Sequence, residues 1–182
     1  MQIENFYKQF CREEYDENGV LSRFEPVVPD GFNFAYDVVD KIAALEPDRR
    51  AMVWCDMEGE ERFFTFDDMR RCSNKAANLF AKQGVKKGDM VMLVLKRHYQ
   101  FWFAVLALHK LGAVGVPATN LLTVKDYVYR FNAASIARII TAKYWHNIPA
   151  DGLHLTVSET GWAKSVWGKL YGISLCYTLD DI

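Results

Sequence analysis

Six consecutive apolar residues, Met90 to Leu95, constrain this chain more than any other segment. A strand that is apolar at every position has no face to offer water, so it belongs inside a sheet covered on both sides, as strands of parallel sheets are. A parallel neighbour in turn needs a crossover, and a helix is the compact way to supply one. The flanking sequence provides such helices. Thr65 and Asp68 form a Thr-x-x-Asp start akin to a capping box, in which two side chains satisfy free amides of the first turn. Met69, Cys72, Ala76, Leu79 and Phe80 then share one helical face, and Gly84 supplies the left-handed residue that ends many helices. Beyond the apolar run, His98 to Leu111 reads as a mostly apolar helix closed by Gly112, with a short strand at Val114 to Pro117. Thr123 and Asp126 repeat the capping signature ahead of a helix from Val124 to about Ala134, and Ala137 to Thr141 is strand-like. The alternation predicts an α/β fold, a mostly parallel sheet with flanking helices.

The remaining segments divide the chain in three. Residues 1–32 read as a leader, a polar, aromatic-dotted helix followed by a stretch punctuated by Pro26, Pro29 and Gly31. Residues 33–141 form the α/β unit. In it, Asn33 caps a helix through Leu45, with Phe34, Val38, Ile42 and Leu45 at helical spacing and Pro47 just beyond. Ala51 to Met57 and Arg62 to Thr65 then read as a hairpin turning at Gly59. In residues 142–182 the pattern weakens into a short aromatic helix, a strand near His154 to Val157 and a Trp-rich segment from Thr160 to Gly172.

Composition excludes several function classes. The 182 residues carry 22 Lys+Arg against 23 Asp+Glu, so no basic field exists to hold a polyanion by counterion release, and nucleic-acid binding is not expected. With 51% hydrophobic residues the chain buries enough surface to offset its ordering entropy. The first residues are charged throughout, without the apolar stretch of a secretory signal, which predicts a cytoplasmic location. The longest apolar run, Phe101 to Leu108, falls far short of the roughly 20 residues that span a bilayer. Cys11, Cys55, Cys72 and Cys176 are widely spaced, and His98, His109, His146 and His154 show no metal spacing, so reduced thiols and no metal are expected.

Ligands of open parallel sheets bind beyond the carboxyl ends of the strands. Two segments fit that position. Pro117 to Leu122 joins a strand to the helix that Thr123 caps; it reads either as an ordinary connection or as a ligand-facing loop. Ser158 to Lys164 contains a Gly161–Trp162 step that either lines an apolar acyl pocket or packs the core beside Trp167. No segment combines the glycines, hydroxyls and lysine of a phosphate cradle. Ser158 beside Glu159 is too weak a pair to name a nucleophile.

Specific residues then point to a family. Phe64 to Met69 with Val85 to Val91 resembles the opening motif of adenylate-forming enzymes, and Leu108 to Ala118 is similar to their K-x-G-A-x-x-x-P strand entry. Thr160 to Trp167 resembles the D-T-G-W-A-K segment of acyl-CoA synthetases of the medium-chain type. The three motifs stand in family order and, with the sequence between them, cover about Phe34 to Gly172.

The resemblance implies part of the N-terminal domain of such an enzyme. It also implies its chemistry, in which ATP and magnesium activate a carboxylic acid to an acyl-adenylate and coenzyme A takes the acyl group. In relatives a Ser/Thr/Gly-rich phosphate loop ending in Pro-Lys lies between the second and third motifs; here Asn132 to Ile136 runs almost directly into Ile140 to Trp145. By the resemblance, Thr160, Gly161 and Trp162 match the acyl-pocket segment, while Thr119 and Asn120 match a loop facing coenzyme A. Neither group performs adenylation, and Glu159 receives no role. The implied chain is a fragment or degenerate synthetase inactive alone. The alternatives are a non-catalytic acyl- or CoA-binding module, or a partner of a full-length relative. Self-association is also expected if the gap leaves apolar faces uncovered.

Overall fold

The computed structural model describes residues 3–95, 98–141, 152–157 and 176–178. Its centre is a five-stranded sheet. β5 (Met90–Val94) lies between β6 (Val114–Pro117) and β7 (Arg138–Thr141), parallel to both; β8 (Gly152–Val157) and β9 (Cys176–Thr178) extend the sheet antiparallel beyond β7. The expected parallel core is therefore three strands wide. Antiparallel pairing of β8 was invisible in the sequence because its orientation depends on how the preceding connection returns to the sheet.

Among the described residues, three helices cover this sheet. α2 (Phe66–Lys82) and α3 (Gln100–Leu111) pack on one face, burying Ala76, Leu79 and Phe80 with Ala104, Ala107 and Leu108 against Val91, Leu93 and Leu95. α4 (Val124–Ala134) covers the other, where Phe131 meets Met92, Val94 and Ile139. Strand β5 thus sends alternate residues into two separate clusters, as its unbroken apolarity requires. α2 and α4 both begin on complete capping boxes: the Thr65 and Thr123 hydroxyls accept from the amides of Asp68 and Asp126, whose carboxylates accept in return. Gly112, at φ 66°, caps α3 in the left-handed conformation.

The antiparallel hairpin of β3 (Arg50–Cys55) and β4 (Glu61–Thr65) forms a sheet of its own. With a π-helical turn, Ala35–Asp40, running into α1 (Lys41–Leu45), it builds a third cluster around Val39, Met69, Phe103 and Leu106. Here the burial differs from the sequence reading by one residue. Ala35, Val39 and Ala43 face inward, whereas Phe34 and Leu45 are exposed. Polar links fix that rotation. Asn33 Nδ2 donates to the His109 carbonyl at 2.6 Å, and Lys110, its side chain 1% exposed, donates to Asp40 Oδ1 at 2.8 Å and Asn74 Oδ1 at 2.7 Å.

The leader also departs from expectation. Only Ile3–Gln9 is helical, as a 3₁₀ turn, and β1 (Cys11–Tyr15) pairs antiparallel with β2 (Leu21–Pro26). Both hairpins turn by one device. Asp16 Oδ1 accepts from the amides of Asn18 and Val20, and Asp56 Oδ1 accepts from those of Glu58 and Glu60. Gly19 and Gly59 take the left-handed position between, at φ 75° and 88°.

Candidate functional site

The carboxyl ends of β5 and β6 lie side by side, with Leu93 opposite Pro117. Ala118 continues that register, its amide donating to the Leu93 carbonyl at 2.8 Å. The loop that follows is pinned at its far end by the Thr123 box, where Asp126 Oδ2 accepts from the Thr123 amide at 2.9 Å and its hydroxyl at 2.7 Å. The Thr123 hydroxyl, then its amide, holds the Asp126 carboxyl below the ordinary carboxylate range. Between these anchors Thr119 is exposed and Asn120 half-buried. Thr119 Oγ1 accepts from the Leu121 amide at 3.2 Å, which turns the chain and leaves Leu121 outside. The loop is thus a short polar rim held by backbone at one end and a helix cap at the other.

The start of α3 stands at the carboxyl end of β5. There Tyr99 packs against Trp54, Phe64 and Phe103 at ring separations of 5.4, 5.0 and 5.8 Å. Its hydroxyl accepts from Arg62 Nη1 at 2.7 Å, and the Arg62 guanidinium lies 5.0 Å from its ring centre. The β3–β4 hairpin is thereby tied to the first turn of α3. Gln100 follows, 5% exposed, at the sheet-facing end of the stripe that Ala104, Ala107 and Leu108 continue. Arg62, Tyr99 and Gln100 escaped the sequence reading. The available signal was a glutamine opening an otherwise apolar helix.

Of the two groups singled out in the sequence, Thr119 and Asn120 stand at the carboxyl end of β6, where sheet topology places ligand-facing loops. Thr160, Gly161 and Trp162 lie outside the described residues. Among the described residues no three His, Cys, Asp or Glu side chains gather as a metal site. Cys11, Cys55 and Cys72 are free thiols, and burial together with Asp68 pushes that of Cys72 up.

Comparison with known proteins decides the family, since residues 39–168 match the AMP-binding enzyme model. The chain belongs to the AMP-binding enzymes. Its sequence is similar to mitochondrial acyl-coenzyme A synthetase ACSM5 of Rattus norvegicus, 40% identical over 121 residues, covering 63% of this chain and 21% of that protein. It is also similar to mitochondrial acyl-coenzyme A synthetase ACSM3 of Homo sapiens, 35% identical over 163 residues, covering 81% and 27%. This AMP-binding chain therefore spans about a quarter of the length of these curated relatives. The fold is that of solved N-terminal domains of adenylate-forming enzymes. The inhibitor-bound N-terminal domain of FACL13 from Mycobacterium tuberculosis superposes with a TM-score of 0.54 at 23% identity, covering 60% of this chain and 27% of that one. Klebsiella oxytoca NpsA, in complex with 3-hydroxyanthranilyl-AMSN, gives 0.55 at 24%, covering 65% and 23%.

Proposed function

We propose that this chain is a partial acyl-CoA synthetase that does not complete the parent reaction alone. That reaction joins a carboxylic acid to coenzyme A at the expense of ATP, releasing AMP and pyrophosphate. The observation that carries the reading is a match to the AMP-binding family over residues 39–168 in a chain spanning 21 to 27% of its relatives. Charge developing on departing pyrophosphate is stabilised by converging amides, a cation and a metal. Among the described residues no three His, Cys, Asp or Glu side chains gather; magnesium beside a nucleotide rests on one or two carboxylates together with substrate phosphates, and no step is routed through it. The described residues also contain no loop rich in glycine and hydroxyl residues that would cradle phosphates.

The test is turnover by the purified full chain given Mg-ATP, a medium-chain carboxylic acid and coenzyme A. Pyrophosphate and acyl-CoA at the level of a protein-free blank are expected; acyl-adenylate formed by the chain overturns the reading. A second reading, a non-catalytic module for coenzyme A, is favoured by one observation: Thr119 and Asn120 crown β6 on a loop fixed at both ends. Calorimetry with coenzyme A and no nucleotide decides it, through saturable heat that the double variant Thr119→Ala, Asn120→Ala abolishes.

Cytoplasmic residence belongs to the same proposal. The relatives carry the word mitochondrial in their names. Fractionation of the tagged chain tells the two locations apart.

A further inference from the structure

The β1–β2 hairpin has two unlike faces. Arg12, Glu14, Arg23 and Glu25 share one, with Arg23 paired to both acids. Cys11, Glu13 and Tyr15 share the other with Pro26, Phe24 and Leu21, because a bulge skips Ser22 and brings Leu21 opposite Tyr15. The single charge on this second face is already answered, since Tyr7 and Tyr15 both donate to Glu13 Oε2, at 3.1 and 3.0 Å. Apart from Cys11, which is buried, what remains among the described residues is apolar and exposed. Tyr7, Tyr15, Leu21 and Phe24 are about half exposed, and no hairpin residue belongs to any of the three core clusters. An isolated two-stranded hairpin is marginal in water until such a face is covered.

A second uncovered strip runs along the outside of α3. Trp102 is 53% exposed, two turns from His109, against whose ring Phe34 packs edge-on while itself 48% exposed; Tyr36 is equally exposed beside Lys110. The segments that carry the two surfaces differ in net charge. Residues 1–32 carry 3 of the 22 basic and 7 of the 23 acidic side chains, so the leader is acidic and the remainder net basic. An acidic aromatic face is ill suited to anionic lipid.

We propose that the hairpin's apolar face docks on the α3 strip of a second copy, each copy giving its hairpin to the other. Area selects this arrangement over two hairpins packed face to face. Half-exposed aromatic side chains offer roughly 100 Å² each, so two hairpin faces bury only about 800 Å² in total, the scale of incidental packing. Reciprocal exchange buries both surfaces twice, about 1,400 Å², within the range of specific dimers. Exchange of one element between identical chains also closes under two-fold symmetry.

Analytical ultracentrifugation of the full chain at micromolar concentration tests this. A dimer is expected. Phe24→Glu and Trp102→Glu, each on its own, raise its dissociation constant at least tenfold while leaving the circular-dichroism spectrum intact; Leu21→Lys replaces Phe24→Glu should that variant unfold. Mixing the two single variants restores dimer in part, because one unaltered hairpin then meets one unaltered α3 strip. A monomeric parent chain, a dimer indifferent to both substitutions, or a mixture that stays monomeric overturns the proposal.

Discussion

Lys110 is the most constrained charge among the described residues. Its ammonium is enclosed by Asp40, Asn74 and the Tyr36 ring, and it joins the π-helical turn, α2 and α3. Removing one member of a buried pair strands the other, so Lys110→Met is expected to cost about 3 kcal/mol in urea unfolding even though it conserves the stem. A loss under about 0.5 kcal/mol would show that the pair is idle. Two carboxylates contribute to the acid limb of stability. Asp126 is held down by the Thr123 hydroxyl and then its amide, and Asp37 by the Asn33 amide and then Lys41. A folded-state pKa below the unfolded one adds stability above the unfolded value of about 3.9 and loses it as pH falls through the folded one. Urea midpoints should therefore drop below about pH 4. Asp126→Asn should lower the midpoint at pH 7 and flatten that drop; an unchanged acid slope contradicts the assignment.

Among the elements, those most legible in the sequence were specified by their own residues. The Thr-x-x-Asp pairs placed the starts of α2 and α4 because a cap needs only a hydroxyl and a carboxylate at fixed separation. Replacing Thr65 or Thr123 by Ala should cost about 1 kcal/mol each, read from chemical unfolding. The β1–β2 hairpin was legible too and went unread. Its Asp16-Glu17-Asn18-Gly19 turn has the same spacing as Asp56-Met57-Glu58-Gly59, where the hairpin was found. Gly59→Ala tests the shared device. An added Cβ meets nothing within 4 Å, so the expected loss of about 1 kcal/mol comes from the left-handed backbone alone. The inward face of α1 was not legible, because contacts from Asn33 and Asp40 to residues some seventy positions away set its rotation.

At the scale of the whole molecule, three clusters divide the labour. The cluster around Phe103 packs the separate β3–β4 sheet against the α/β layers, so Phe103→Ala should cost about 3 to 5 kcal/mol. A thermal transition that splits in two for this variant would confirm that the hairpin layer had come loose. Of the candidate site, the carboxyl edge of β6 could be inferred from the strand–helix rhythm. The contribution of Tyr99 and Arg62 could not, since it depends on a hairpin folding back over a helix that begins 35 residues after β4 ends. The enclosure of Lys110 has one further use. An amine shielded to 1% exposure reacts with an acylating reagent only during moments when the π-helical turn lifts from α2 and α3. Mass-spectrometric labelling kinetics at that single lysine, read against the open Lys41 and Lys86, would thus time the breathing of this corner without any substitution in the chain.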